Sequence, residues 1–152
     1  MKKKKLGMIL VTGAMIVIIA NTINYKMCIV HGVSMKPTLQ DGDILRMKKY
    51  KGTIEHNDVV AIAAKNTKSD IQYLIKRVIA YEGDQLDIKN GVVRVNDKVV
   101  VQSVDITQKI NLKIPKGKVF VMGDNYRRSY DSRDIGCLNL KDIIAYKSIP
   151  KK

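Results

Sequence analysis

Two side chains in this sequence, a serine and a lysine, are of the types needed for nucleophilic catalysis. Ser34 lies between Gly32 and Pro37 in a segment typical of a turn, and Lys76 lies in an apolar segment further along. A serine hydroxyl attacks a carbonyl carbon only if a base takes its proton, and lysine is such a base only when its amine is neutral. A free lysine titrates near 10.4, so only about one amine in 10³ is neutral at pH 7 unless burial lowers its pKa. This pair therefore suggests peptide-bond hydrolysis if the fold buries Lys76 beside Ser34.

A third polar cluster follows residues 123–125, whose sequence is Gly-Asp-Asn. Asp131 and Arg133 are two residues apart, so their side chains share one face of an extended segment and can form a charge pair. Ser129 precedes them at the same spacing. A solvated polar turn is the alternative interpretation of this cluster.

The segment around Lys76 must bury the amine for this chemistry to work. On a strand, Lys76 shares a face with Leu74 and Val78, whereas Arg77 points to the opposite face. The pattern permits a desolvated Lys76. The alternative is an ordinary strand lysine whose stem covers apolar surface while its amine stays in water.

Short apolar runs predict that the chain beyond residue 25 is mainly β. Six strands are predicted, at residues 44–47, 58–63, 73–80, 85–88, 92–95 and 118–122. Asn90-Gly91 predicts a type I′ hairpin turn, Asn96-Asp97 predicts the next turn, and residues 65–70 read as an exposed loop. We expect one twisted, largely antiparallel β domain.

The N-terminus predicts a membrane anchor. Residues 2–5 are four lysines, and residues 6–25 carry no charge and are long enough to cross a bilayer. The basic cluster favours a cytoplasmic N-terminus, which gives a cytoplasmic segment 1–5, a transmembrane anchor 6–25 and an extracytoplasmic domain 26–152. A cleaved secretory signal is the alternative, but Ala20 is not followed by a clear small-residue cleavage site.

Composition limits the classes of partner. The formal charge of +14 suits nucleic acid, an anionic membrane surface or acidic substrates. The lysines are scattered, and no nucleic-acid-binding motif is present, so nucleic acid is not expected. Cys28 and Cys137 are too few for a zinc site and are interpreted as small buried hydrophobes, although one disulfide between them stays open.

The three polar blocks together resemble those of bacterial type I signal peptidases. They are Ser-Met-Lys-Pro-Thr at 34–38, Lys-Arg-Val at 76–78, and Gly-Asp-Asn at 123–125 continuing to Arg133. They occur in the family's order, and the Asp-Gly-Asp-Ile-Leu at 41–45 matches the block that usually follows the serine.

This resemblance implies a role for each residue. Ser34 is the nucleophile, its backbone N–H is the oxyanion donor, and Lys76 is the general base. Ser129 would hydrogen-bond and orient Lys76, and Asp131 and Arg133 would brace the site as a charge pair. Apart from the resemblance, Arg77 could offer the Asp131 carboxylate a second partner. Some relatives add a serine hydroxyl to the oxyanion site where this chain has Gly32. Neither a metal nor an organic cofactor is implied.

The resemblance also implies the activity and the substrates. The expected activity is removal of N-terminal signal peptides from secretory precursors with small residues before the cleavage site, and each precursor would bind as an added β-strand. Anionic membrane lipid is a second expected partner.

Several alternatives stay open at this point. The peptidase could serve a single exported substrate, or the chain could be an inactive, membrane-anchored domain that only binds peptides. A self-cleaving repressor shares the Ser/Lys pair but has a DNA-binding head where this chain has an apolar segment. Histidine catalysis through His31 is disfavoured because Lys76 occupies the place of the base, and His56 reads as loop surface.

Overall fold

The computed structural model describes residues 24–63 and 73–152. Within these ranges lie eleven strands, one short α-helix and two 3₁₀ turns. The strands are β1 (Tyr25–Ile29), β2 (Ile44–Lys49), β3 (Asp58–Ala63), β4 (Tyr73–Tyr81), β5 (Gln85–Lys89), β6 (Val92–Val95), β7 (Lys98–Gln102), β8 (Ile110–Lys113), β9 (Lys118–Met122), β10 (Leu138–Asn139) and β11 (Ile143–Ser148). Helix α1 is Ser132–Ile135, and the 3₁₀ turns are Tyr126–Arg128 and Leu140–Asp142.

Two antiparallel sheets make up the fold. The larger has the strand order β1-β2-β11-β3-β4-β9-β10, and the smaller has the order β7-β6-β5-β8. The long strand β4 pairs with β3 along its first half and with β9 along its second half. Among the described strands, its first residues, Tyr73 to Lys76, therefore have a neighbour on one side only.

The expectation of a mainly β, largely antiparallel domain is confirmed. All six predicted strands are present, and each begins within one residue of its predicted start. Asn90 and Gly91 have φ values of 51° and 77°, and Asn96 and Asp97 have 49° and 64°, as type I′ turns require. The sequence does not predict β1, β7, β8, β10 and β11, because their apolar runs are short or are mixed with lysines.

Buried side chains form three clusters that hold the sheets in place. The first lies between the small sheet and the adjoining ends of β4 and β9, with Phe120, Leu86 and Ile88 among its members. The second includes Met35, Met47 and Val59, and the third packs on the centre of the large sheet. Met35 is 1% exposed, so the residue next to Ser34 is fixed in the core.

The predicted anchor falls mostly outside the described residues. Residues 6–23 lie there, whereas Tyr25, the last residue assigned to the anchor, is the first residue of β1 and pairs with Lys48 of β2. In the part of the chain that the structure describes, no helix has the length and apolar character needed to cross a bilayer. The predicted loop 65–70 also lies outside the described residues.

Candidate active site

The turn after β1 presents Ser34. Gly32 has a φ of 84°, and its N–H donates to Asp41 Oδ1 at 2.7 Å. An L-residue rarely adopts this φ, so the turn favours glycine here. The N–H of Val30 also donates to the carbonyl of Asp43 at 2.9 Å, which closes the loop at its base. These bonds and the buried Met35 leave Ser34 in a defined position.

Asn125 holds the Ser34 loop from the opposite side. Its backbone N–H donates to the Ser34 carbonyl at 2.9 Å, and its side-chain Nδ2 donates to the Val33 carbonyl at 3.1 Å. The sequence alone predicts no separate role for Asn125. Its place in the Gly-Asp-Asn block was the only signal. Asn125 is thus a positioning residue that ties the third block to the first.

Lys76 contacts the Ser34 hydroxyl directly. Its Nζ lies 2.6 Å from Ser34 Oγ and donates to it when protonated. The side chain is 4% exposed, and this burial lowers the pKa of Lys76 to about 8; the nearby Asp131 raises it and Arg133 lowers it further. A neutral Lys76 can instead accept the hydroxyl proton, so the predicted pair has the distance and the desolvation that general-base catalysis needs.

Asp131 is the centre of a buried network beside this pair. Its carboxylate accepts hydrogen bonds from Ser129 Oγ at 2.6 Å, the Gly123 N–H at 2.9 Å, and Arg133 Nε and Nη2 at 2.9 Å each. Burial alone would raise the pKa of Asp131, but the bonds from Arg133, Ser129 and Gly123 hold it below its usual value. Asp131 is also the N-cap of α1, where its side chain accepts from the Arg133 N–H. The charge pair inferred for Asp131 and Arg133 is therefore present.

Ser129 and Arg77 have hydrogen-bond partners other than those expected from the sequence. The Ser129 hydroxyl donates to Asp131 and makes no hydrogen bond to Lys76 within the described residues. Arg77 does not pair with Asp131: its Nε and Nη2 donate to the two carboxylate oxygens of Asp124 at 2.8 and 2.7 Å. The cause is the alternation along β4, which directs Arg77 away from Lys76 and toward the start of the third block.

The Arg77–Asp124 pair is buried and has further bonds. Both side chains are at most 3% exposed, and Arg77 Nη1 also donates to the carbonyls of Asn57 and Ile149. The pair thereby joins β4, the Gly-Asp-Asn block and the C-terminal residues. The sequence alone predicts no role for Asp124.

We expect Asp124→Ala to destabilise the protein by about 3–5 kcal/mol, because it leaves the Arg77 guanidinium buried without its counter-charge. The measurement is the free energy of unfolding in guanidinium chloride. The control is Asp87→Ala, since Asp87 faces Arg94 at 4.0 Å on the surface and such pairs contribute about 1 kcal/mol or less. Equal losses in the two variants would contradict this interpretation.

A cavity of about 900 Å³ adjoins the Ser34–Lys76 pair. Its walls include strand β1, the Ser34 turn and the first residues of β4, and Tyr130 and Ile144 also contribute. In the described sheet β1 pairs only with β2, so its outer edge is free, as is one edge of residues 73–76. An extended peptide that enters the cavity can therefore hydrogen-bond to backbone on both sides and pass Ser34.

The histidines and cysteines considered as candidates form no hydrogen bond with Ser34 or Lys76 in the described residues. His31 lines the cavity and is exposed, whereas His56 bonds to Asp84 at 2.8 Å and stacks on Tyr81, away from Ser34. Cys28 and Cys137 are free thiols, and burial raises the pKa of both. No group of three or more potential metal ligands occurs among residues 24–63 and 73–152.

Comparison with known proteins identifies relatives over nearly the whole chain. The family described as "Signal peptidase, peptidase S26" matches residues 3–150. Signal peptidase I P of Bacillus subtilis subsp. natto is 32% identical over 171 residues, covering 97% of this chain and 91% of the relative. Signal peptidase I U of Bacillus subtilis (strain 168) is 30% identical over 169 residues, covering 97% and 89%.

A solved structure shares the fold. A signal peptidase I from Enterococcus faecalis V583 superposes with a TM-score of 0.53 at 20% sequence identity, covering 63% of this chain and 97% of that chain. At this identity the match supports the β architecture alone.

Proposed function

We propose that this chain, which belongs to the signal peptidase family, peptidase S26, removes N-terminal signal peptides from exported precursors with Ser34 as nucleophile and Lys76 as general base. The family is one of serine proteases, and the chain is an endopeptidase of the signal peptidase I type. The observation that carries the assignment of residues is the 2.6 Å contact between Lys76 Nζ and Ser34 Oγ beside an open cavity.

The reaction follows from this contact. Ser34 Oγ attacks the scissile carbonyl while neutral Lys76 takes its proton, and the resulting ammonium then protonates the leaving amine. Water hydrolyses the acyl-enzyme, again with Lys76 as the base. The Ser34 N–H has no acceptor among the described residues, so it is available to donate to the oxyanion.

The neighbouring residues support the base through charge and position. Asp131 holds Ser129 and Arg133 beside Lys76, and its negative charge opposes the lowering of the Lys76 pKa by burial. Arg77 and Asp124 fix β4 to the third block. These residues are positioning residues because none of them contacts Ser34 Oγ.

The proposed location is the extracytoplasmic face of the cell membrane, with residues 6–25 as the anchor and residues 1–5 in the cytoplasm. An apolar strip on β1 and β2 supports it: Met27, Ile29 and Ile44 are 65%, 55% and 66% exposed. Exposed apolar side chains that directly follow an anchor favour contact with the bilayer, where the cleavage region of a precursor emerges.

A single experiment tests the activity. The full chain in detergent is incubated with a secretory precursor, and the new N-terminus of the product is sequenced. We expect cleavage after the small-residue motif, and a precursor with arginine in place of the last small residue is the control that should stay intact. An uncleaved precursor would favour the peptide-binding alternative, and cleavage of only one among many precursors would favour a dedicated peptidase.

We expect kcat/KM to depend on pH through Lys76. Its pKa of about 8 means that the base is protonated and inactive at lower pH, so the rate should increase about tenfold per pH unit below 8 and become constant above it. The measurement is kcat/KM for a peptide substrate from pH 6 to 10.

The matched control for this profile is His31→Ala, which should keep both the midpoint and most of the activity. A midpoint near 6.5, lost in the His31 variant, would identify a histidine as the base instead.

A further inference from the structure

The cavity beside Ser34 has charges of one sign only. Its lining includes Lys26 and Arg128 in addition to Lys76, and no aspartate or glutamate. Lys26 and Arg128 are exposed, and neither forms an ion pair with a carboxylate in the described ranges. Lysine and arginine are charged at neutral pH, so a substrate in this cavity meets positive potential that no acidic side chain of its walls offsets.

Two backbone hydrogen bonds connect Arg128 to the Ser34 turn. The Arg128 N–H donates to the Asn125 carbonyl at 3.0 Å, and the Asn125 N–H donates to the Ser34 carbonyl at 2.9 Å. The next residue is Ser129, which belongs to the Asp131 network. Arg128 is therefore presented from the same turn that positions the nucleophile, whereas Lys26 lies eight residues before Ser34 on β1.

A substrate must place several residues on each side of its scissile bond in this cavity. Clefts lined by one sign of charge attract the opposite sign, and a charge near the wall also determines which of two similar partners binds better. An acidic side chain near the scissile bond would be favoured, and a basic one would be disfavoured.

We propose that Arg128 is a specificity-determining residue, which makes the chain prefer precursors with an aspartate or glutamate within about four residues of the scissile bond. This inference rests on the proposed function and adds a second determinant to the small residues before the bond. The alternative ligand of Arg128 is an anionic lipid headgroup. The peptide is favoured because Arg128 lines the cavity together with Ser34 and Lys76, so a peptide whose scissile bond reaches Ser34 shares this cavity with Arg128.

The test uses the full chain in uncharged detergent and a matched set of peptides. Each peptide keeps small residues before the scissile bond, and one other position within four residues of that bond is Glu, Gln or Lys. We expect kcat/KM for the Glu peptide to exceed that for the Gln peptide by about three- to tenfold in at least one position, with the Lys peptide below both. The preference should shrink in 1 M salt, because the Debye length falls to about 3 Å.

Two variants assign the effect. Arg128→Gln should bring the Glu-to-Gln ratio close to one while the Gln peptide is still cleaved. Arg127→Gln is the control, because Arg127 is the adjacent exposed arginine and is not part of the cavity lining, and it should leave the ratio unchanged.

Three outcomes would overturn the inference. A ratio of one at every position, with the Gln peptide cleaved, would refute the preference and leave the peptidase function standing. A loss in Arg128→Gln that is equal for all three peptides, and present only with phosphatidylglycerol vesicles, would assign Arg128 to lipid. Failure to cleave any peptide would overturn the proposed function and this inference with it.

Discussion

Replacement of Lys76 by methionine is expected to lower kcat/KM for a precursor peptide by about a thousandfold or more. Methionine keeps the length and apolar stem of lysine but has no amine, so nothing at 2.6 Å from Ser34 Oγ can accept the hydroxyl proton. General bases contribute about 10²–10⁴-fold, and a serine without its base is a weak nucleophile. The measurement is peptide cleavage at pH 9, where the wild-type amine is largely neutral.

The dyad also predicts how two substitutions combine. Ser34→Ala should cost at least as much as Lys76→Met, and the double variant should be no less active than Ser34→Ala, because groups that act in one step are not additive. Lys147→Met is the control, since Lys147 is an exposed lysine of β11, and its activity should match that of the wild type. If the fold losses of the two single variants multiplied in the double variant, the two residues would act independently and the dyad would be contradicted.

The Lys76→Met substitution should change stability and activity in opposite directions. Burial keeps the pKa of Lys76 at about 8 against 10.5 for the free side chain. Between these values the unfolded chain binds more protons, so stability increases with pH across this window, and below pH 8 the fold carries the full cost of a buried ammonium. Lys76→Met removes this cost, so its melting temperature at pH 7 should equal or exceed that of the wild type. A lower value would mean that the lost activity reflects unfolding.

The strands that the sequence predicted are those with a clear local signal. Strand β6 follows Asn90-Gly91, β9 is apolar after its first lysine, and β4 has apolar residues on both sides of Lys76-Arg77. Strand β1 (Tyr25–Ile29) directly follows an apolar segment, so its pattern merged with the anchor. The edge strand β7 (Lys98–Gln102) is exposed at most positions and has no alternation to identify it.

The site was predictable only in part, because contacts between residues far apart in the chain leave no local signal. Ser34 and Lys76 belong to blocks with a recognisable order, but alternation showed only that Arg77 points away from Lys76. Its partner Asp124 is 47 residues away in the chain, and nothing local distinguishes it from Asp131 as a partner. Likewise, the two hydrogen bonds of Asn125 to the Ser34 loop depend on tertiary packing. Contacts between blocks that are distant in the sequence can be identified only once the fold is known.

Gly123 occupies a position where a side chain is expected to disrupt catalysis. It follows β9, its N–H donates to Asp131 Oδ2 at 2.9 Å, and an added Cβ would lie 2.2 Å from Ser129 Oγ and 2.5 Å from the Ser34 carbonyl oxygen. Separations this short are not tolerated, so either the Ser34 loop or the Asp131 network must shift. Because the nucleophile and the network of the base contact the same glycine, both parts of the reaction are affected.

We therefore expect Gly123→Ala to lower kcat/KM by about a hundredfold, the usual effect of moving a reacting group by about 1 Å. The loss should be mainly in kcat, because the atoms nearest the added Cβ belong to Ser129 and Ser34 and not to β1 or β4, whose edges also line the cavity. Gly52→Ala is the control: Gly52 has a φ of 101°, so the substitution strains the backbone, but nothing lies within 4 Å of the added Cβ. Gly52→Ala should lose some stability and keep its kcat. If Gly123→Ala retained kcat within about threefold, the close approach of the Ser34 carbonyl to this glycine would not be required for catalysis.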